Sequence, residues 1–153
     1  AGEDVPFADI VRPVSRMVEE AFHSPERPVR CRVDGEIGHL PAQVATPLAV
    51  VLNELLQNAF DHAYPEEKEF DAGQVIVGLQ RTGGELVVRV TDDGAGLPDG
   101  FDLDRSTGLG LSIVRTLVTS ELGGSIRLWS GEGSTERPGT VAELRIPLAG
   151  DDE

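Results

Sequence analysis

The stretch NELLQNAFDHA at residues 53–63 decides how this chain folds, because it completes a long segment of helical periodicity. The segment opens at Leu40-Pro41 and runs to about Tyr64, where Pro65 ends it. The apolar residues that recur along it are Leu48, Val51, Leu52, Leu55 and Ala59. One apolar stripe on so long a helix predicts that the helix packs on the core of a domain.

The remaining periodicity predicts two more helices and five strands around this central helix. The helices cover residues 4–22 and 109–122, and the strands cover residues 29–33, 74–81, 86–92, 125–129 and 140–146. The apolar face of the first helix is predicted at Ile10, Val11, Val14, Met17, Val18 and Ala21. This order predicts an α/β (α+β) fold, a two-layer sandwich with a mixed sheet packed on a layer of helices. We expect a single domain over residues 1–153.

The composition excludes several classes of function. Among 153 residues, 27 acidic and 13 basic side chains give a formal net charge of −14. A surface this acidic argues against binding nucleic acid or an anionic membrane directly, since both need a basic face. With a single cysteine, Cys31, the chain has neither a disulfide framework nor a cysteine-rich zinc site. The chain begins with Ala-Gly rather than Met, so we expect a segment of a longer protein.

The central helix also carries a polar stripe. Glu54, Asn58, Asp61 and His62 are spaced i, i+4, i+7 and i+8, which puts them on one helix face. The amide oxygen of Asn58 is a hard ligand suited to Mg²⁺, and Glu54 is placed to orient or deprotonate an attacking group. Taken alone, the stripe is more typical of the solvated face of a surface helix than of a binding site.

Two glycine-rich turns follow the stripe along the chain. TDDGAGL at residues 91–97 ends a predicted strand, and TGLGL at residues 107–111 opens a predicted helix. An aspartate at a strand end can accept a hydrogen bond from an amine such as that of adenine, and a glycine-rich helix start favours phosphate. Each turn alone is weak evidence. The spacing fits neither a P-loop, since Lys68 is the only lysine, nor a dinucleotide fingerprint.

Together these motifs resemble the ATP-binding catalytic domain of sensor histidine kinases, in the gyrase, Hsp90, histidine kinase and MutL superfamily. NELLQNA at residues 53–59 resembles the N box, DDGAG at 92–96 the G1 box, and GLGLSIV at 108–114 the G2 box. Gly139-Thr140 resembles the terminal Gly-Thr of the family. The resemblance spans about residues 41–148 and implies a Bergerat-type sandwich with a mostly antiparallel sheet, preceded by the helix and strand of residues 4–40.

The resemblance implies a role for each motif residue. Asn58 would bind Mg²⁺ between the phosphates of ATP, and Glu54 would be the catalytic residue, activating water or assisting the acceptor imidazole. Asp92 would accept from the adenine amine, with Thr140 supporting it, and Gly94 and Gly96 would let the base approach closely. The lid would run from Leu97 to Thr107. The phosphates would be contacted by Gly108, Leu109, Gly110 and Leu111.

The chain also departs from the family pattern. Many members have a lysine three residues after the Mg²⁺ ligand, where this chain has Asp61. His62 takes the next position and would flank the nucleotide. The charge of the triphosphate would then be balanced by Mg²⁺, by Arg105 in the lid and by helix dipoles.

The resemblance implies a cytoplasmic domain that binds Mg²⁺-ATP and supplies the γ-phosphate for a histidine. That histidine would lie on a separate dimerisation and histidine phosphotransfer domain of the same protein, with a response regulator downstream. Two alternatives stay open: an anti-sigma factor of the serine-kinase type, which binds a sigma factor, and a nucleotide-sensing module without transfer chemistry. Neither nucleic acid nor direct membrane contact is expected.

Overall fold

The computed structural model describes residues 4–26, 28–63, 72–97, 101 and 109–148, and for residues 62, 63, 109 and 110 the backbone alone. The helices are α1 (Ala8–Phe22), α2 (Ala42–Ala63) and α3 (Leu109–Thr116), the last continued by a π-helical turn over Leu117–Glu121. The strands are β1 (Asp4–Pro6), β2 (Val29–Asp34), β3 (His39–Pro41), β4 (Gly73–Thr82), β5 (Glu85–Asp92), β6 (Ser125–Ser130) and β7 (Thr140–Pro147).

Five of these strands form a mixed sheet in the order β2-β4-β5-β7-β6. The β2–β4 pair is parallel, and the other three pairs are antiparallel. The helices pack on one face of this sheet, with α2 in contact with α1, α3, β4, β5 and β7. The predicted two-layer sandwich with a mixed, mostly antiparallel sheet is therefore confirmed.

The core lies between α2 and the sheet. Alternate residues of β5, such as Leu86, Val88 and Val90, are buried toward the helices. The apolar stripe predicted for α2 is confirmed, since all five of its residues are buried. The largest buried side chain of this helix is Phe60, whose ring lies 5.7 Å from that of Phe22 at the end of α1.

The opposite face of the sheet has no helix layer among the described residues, and an ion-pair cluster covers part of it. Glu143 on β7 is 3% exposed and accepts from Arg89 at 2.7 Å and from Arg145 at 3.1 Å. Burial alone would raise the pKa of Glu143, but the two guanidinium groups lower it. The alkyl stems of arginines can shield a sheet face while their charged heads stay in water.

The start of the chain corrects the prediction. Residues 4–6, predicted as helix, form β1, which pairs with β3 so that Val5 lies opposite Leu40. His39 lies in β3. A strand of three residues is too short to show a periodic pattern in the sequence. The pairing of β1 with β3 is not visible there either, because the two strands are distant in the chain.

The predicted apolar face of α1 is also partly wrong. Met17 is 61% exposed and Ala21 is exposed, whereas Ser15 is buried between Val11 and Val18. The helix is rotated toward the edge strand β2, where the Glu19 carboxylate accepts from the Cys31 backbone N–H at 2.6 Å. The orientation of α1 is therefore a balance between covering the unpaired edge of β2 and burying the most apolar face of the helix.

Candidate nucleotide-binding site

The best-defined part of the site is the Asp92 carboxylate at the end of β5. Asp92 is 7% exposed, and its Oδ1 accepts from the Gly94 backbone N–H at 2.9 Å and from the Thr140 backbone N–H at 3.2 Å. Asp92 and Thr140 are directly opposed in the β5–β7 register. The residues of the first glycine turn and of the terminal Gly-Thr, 48 positions apart, thus meet at one carboxylate.

Burial makes this carboxylate easier to protonate than an ordinary aspartate. Burial raises the pKa of Asp92, and the hydrogen bonds from the Gly94 and Thr140 N–H groups lower it. Burial has the larger effect, so the pKa rises from 3.8 to about 6. The neighbouring Asp93 raises the same pKa and Arg137 lowers it. At neutral pH the group is a buried anion whose described hydrogen bonds reach Oδ1 alone, which leaves Oδ2 to accept from a ligand N–H.

Glycine is required at two positions beside this carboxylate. Gly139 has φ +79°, and a Cβ there would overlap the carbonyl oxygen of Asp92. Gly96 has φ +82°, and a Cβ there would come within 2.7 Å of Pro138 Cγ. Both residues adopt the left-handed backbone that glycine tolerates, in places where no side chain fits. Gly94 is buried, and its carbonyl accepts from the Gly139 N–H at 3.0 Å.

The polar stripe of α2 lies on a helix that contacts β5, β7 and α3. Glu54 and Asn58 are half-buried, Asp61 is exposed, and the side chain of His62 lies outside the described residues. Half-burial distinguishes Glu54 and Asn58 from the exposed Gln57 between them. Their proposed roles toward metal and phosphate remain predictions.

The lid and the phosphate loop are described in part. Leu97 donates its backbone N–H to Ser130 Oγ at 3.2 Å, and α3 begins at Leu109 with Gly110 in its first turn. Leu111 is half-buried. Arg105, Thr107 and Gly108 lie outside the described residues, so their predicted contacts with phosphate stay predictions.

The sequence predicts a loop between β6 and β7, observed at residues 131–139, but not the contacts of this loop with the site. Its Arg137 reaches the residue beside Asp92, donating through Nε to the Asp93 carbonyl at 2.8 Å. Ser130, the last residue of β6, accepts from the Leu97 backbone N–H through its Oγ. The only sequence signal is the position of Arg137 two residues before Gly139-Thr140, and that proximity alone does not reveal the contact.

The family model of histidine kinase-, DNA gyrase B- and HSP90-like ATPases matches residues 43–150. The chain belongs to this family. The match covers α2, the two glycine turns and β7, which are the elements that carry the buried aspartate and the polar stripe. A histidine kinase-like ATPase domain implies binding of ATP.

The curated relatives of this ATPase domain include histidine kinases. Sensor histidine kinase PdtaS of Mycobacterium tuberculosis is 44% identical over 126 residues, covering 82% of this chain and 24% of that protein. Blue-light-activated histidine kinase 2 of Erythrobacter litoralis is 30% identical over 124 residues, covering 79% of this chain and 33% of that protein. The chain thus spans a quarter to a third of these relatives, and it has the catalytic domain of the sensor histidine kinase type.

The fold of this histidine kinase-like domain matches a solved relative. The histidine kinase domain from the Erythrobacter litoralis EL346 blue-light activated kinase superposes with a TM-score of 0.80 at 26% identity. The superposition covers 94% of this chain and 62% of that one. Among the described residues of this ATPase domain, no helix is both long and apolar enough to cross a membrane.

The donors on α2 fit a magnesium ion better than a metal held by protein alone. Within the described parts of the chain, no three His, Cys, Asp or Glu side chains come together as a metal site. Mg²⁺ commonly keeps several waters and takes one or two protein oxygens together with substrate phosphates. A half-buried Asn58 one turn from Glu54 supplies that limited set of oxygens.

Proposed function

We propose that this chain binds Mg²⁺-ATP and supplies the γ-phosphate for a histidine on a separate domain of a longer sensor kinase. The buried Asp92 carboxylate carries the proposal, because its Oδ1 is held by Gly94 and Thr140 while Oδ2 can accept from an adenine amine. Guanine presents a carbonyl oxygen where adenine presents this amine, so Oδ2 of Asp92 would repel the carbonyl oxygen of guanine. The site therefore selects adenine.

The polar face of α2 acts on the phosphate end of the nucleotide. Asn58 would hold Mg²⁺ through its amide oxygen, and the ion would neutralise phosphate charge when it is bound. Glu54, one turn away, would orient the acceptor imidazole and take up its proton. Leu109 to Leu111 at the N-terminus of α3, together with Gly108 just before it in the sequence, would bind phosphate oxygens through backbone N–H groups. Positioning and charge neutralisation are the main protein contributions to phosphoryl transfer.

The phosphoacceptor would lie on the dimerisation and phosphotransfer domain of the longer protein, and a response regulator would receive the phosphoryl group from it. Two histidines of this chain suit other roles. His23 is the C-cap residue of α1, and its Nδ1 lies 3.2 Å from the Val29 carbonyl oxygen. His39 lies in β3 beside α2 rather than in the middle of a helix. The names of the relatives favour histidine as acceptor over serine.

The full-length protein that contains this chain provides the test. It is incubated with ATP labelled at the γ-phosphate, and the phosphoprotein is exposed to acid and to alkali. We expect label that is lost in acid and kept in alkali, as for phosphohistidine, and that requires Asn58 but not the exposed Gln57. Alkali-labile label on a partner protein would instead support the serine kinase. Bound ATP without any transfer would support the nucleotide-sensing module.

A further inference from the structure

Arg137, in the loop at residues 131–139, joins three separate segments of the chain. Its Nε donates to the Asp93 carbonyl at 2.8 Å, and one terminal nitrogen donates to the Ala72 carbonyl at 2.9 Å. The same terminal nitrogen lies 3.1 Å from the Asp93 carboxylate, whose Oδ1 also accepts from the Gln74 N–H at 3.0 Å. The guanidinium group therefore ties the β6–β7 loop to the residue after Asp92 and to the start of β4.

The end of the loop and the last residue of β6 contact the glycine turn at two further points. Gly139 donates to the Gly94 carbonyl at 3.0 Å, and Ser130 Oγ accepts from the Leu97 N–H at 3.2 Å. Contacts at residues 93, 94 and 97 thus hold the turn from its first residue to the start of the lid. These contacts act together with the Asp92 Oδ1 bond to the Gly94 N–H and the Asp93 Oδ1 bond to the Gln74 N–H.

We propose that Arg137 is a positioning residue of the nucleotide site, which fixes residues 93–97 so that the Asp92 carboxylate faces the adenine amine. The inference rests on the proposed function and adds a residue outside the motifs. Arginine suits the task because its planar, rigid fork donates to several acceptors at once, which the single ammonium of lysine cannot reproduce. The side chain is 30% exposed, so most of it is covered by the segments that it joins.

The charge of Arg137 adds a second, separable effect. Among the described residues, the charged groups that act on Asp92 are Asp93, which raises its pKa, and Arg137, which lowers it. Removing the guanidinium charge is therefore expected to raise the pKa of Asp92 and to shift adenine binding toward higher pH. A residue that only stabilised the fold would not change this pH profile.

The test is titration of the chain with adenosine, which has no titrating phosphates, over pH 5 to 8. Arg137→Gln is expected to weaken binding about tenfold, the equivalent of losing one charge-assisted hydrogen bond, and to shift the pH profile upward. Arg137→Lys keeps the charge, so we expect weakened binding with a profile close to that of the unmodified chain. Arg127→Gln is the matched control, since Arg127 lies on β6 with its guanidinium 5.0 Å from the ring centroid of Trp129 on the same strand.

Thermal unfolding of each variant separates binding from stability. If Arg137→Gln lowers the melting temperature but leaves adenosine affinity and the pH profile unchanged, Arg137 is structural and the proposal is wrong. If Arg127→Gln weakens adenosine binding as strongly as Arg137→Gln does, the loss comes from the change in net charge and not from a specific position. That result also contradicts the proposal. Failure of the unmodified chain to bind adenosine would contradict the proposed function itself. That outcome is therefore distinguishable from failure of the proposal about Arg137, which requires an unmodified chain that binds.

Discussion

The Oδ1 atom of Asp92 accepts a hydrogen bond of 3.2 Å from the backbone N–H of Thr140 on the neighbouring strand. This bond ends the β5–β7 ladder, where the two residues are directly opposed. A buried carboxylate at a strand end is costly to keep ionised. The ligand-free protein therefore bears a cost at this position that a bound adenine amine would offset.

Replacing Asp92 with Asn should make the ligand-free chain more stable and less able to bind ATP. A pKa of about 6 in place of 3.8 corresponds to an upper limit of ~3 kcal/mol at neutral pH. We expect a gain of about 1–2 kcal/mol in the free energy of unfolding, because Asn can keep both bonds to Oδ1 but is itself a buried polar group. Urea unfolding at pH 7 measures the gain.

In the same variant, ATP affinity should fall by more than about tenfold, because an amide nitrogen would then face the adenine amine. Unchanged ATP affinity in Asp92→Asn would show that the carboxylate does not recognise the base. A loss of stability in the ligand-free variant would show that the buried charge is not a cost to the fold.

Adenosine binding should depend on pH through Asp92. The folded pKa is raised, so this group's contribution to the stability of the ligand-free chain is present below about pH 4 and is lost as the pH rises to about 6. Binding has the opposite dependence, since it needs the carboxylate, and should weaken as the pH falls through about 6. Calorimetric titration at several pH values measures this profile.

Histidine side chains titrate in the same range, so a control is needed. His62→Gln removes the imidazole predicted beside the nucleotide and should leave the midpoint of the profile in place. A midpoint that disappears in His62→Gln would assign the titration to the histidine instead of to Asp92.

Asn58→Ala should weaken binding of ATP in the presence of Mg²⁺ by at least about tenfold, through loss of a metal ligand. Binding of adenosine in EDTA should be unchanged, because neither the metal nor the phosphates take part. Gln57→Ala is the matched control, since Gln57 is the exposed neighbour on the same helix. Equal losses for both ligands in Asn58→Ala would refute the metal role.

Gly139→Ala and Gly83→Ala form a pair that isolates steric overlap from backbone strain. Both glycines have positive φ, +79° and +58°, but a Cβ at Gly83 meets nothing within 4 Å. Gly83→Ala should therefore cost about 1 kcal/mol of stability from backbone strain alone. Gly139→Ala should cost more than this and abolish adenosine binding, because its Cβ would overlap the Asp92 carbonyl oxygen.

The melting temperatures of the two variants and their adenosine affinities are the measurements. Equal destabilisation, or full adenosine binding by Gly139→Ala, would contradict the close packing of β7 on the glycine turn.

Periodicity and turn chemistry predict most of this fold, because most of its elements are long. The hairpin of β4 and β5, for example, turns at Gly83-Gly84 as the sequence indicates. The helix predicted to Leu122 ends instead in a π-helical turn, in which the Leu122 N–H donates to the Leu117 carbonyl. The Thr119 hydroxyl of this turn donates to the Arg115 carbonyl of α3, where it competes with backbone N–H groups for that acceptor. The periodicity of apolar residues does not reveal this competition.

The site is predictable only where its residues lie in motifs. Asp92 and Thr140 are found in this way, although their direct bond follows only from the register of β5 and β7. The contacts of Arg137 span 44 and 65 positions along the chain. Contacts of this length depend on how the β6–β7 loop folds over the glycine turn, so a single sequence carries no pattern for them.

The central claim is that this chain is an adenine-selective, Mg²⁺-dependent nucleotide-binding domain. Calorimetric titration with ATP, ADP and GTP, each in Mg²⁺ and in EDTA, tests it most directly. We predict binding of ATP and ADP that weakens in EDTA, and GTP binding weaker than that of ATP by more than about tenfold. Equal affinity for ATP and GTP, or no binding of either adenine nucleotide, would contradict the account.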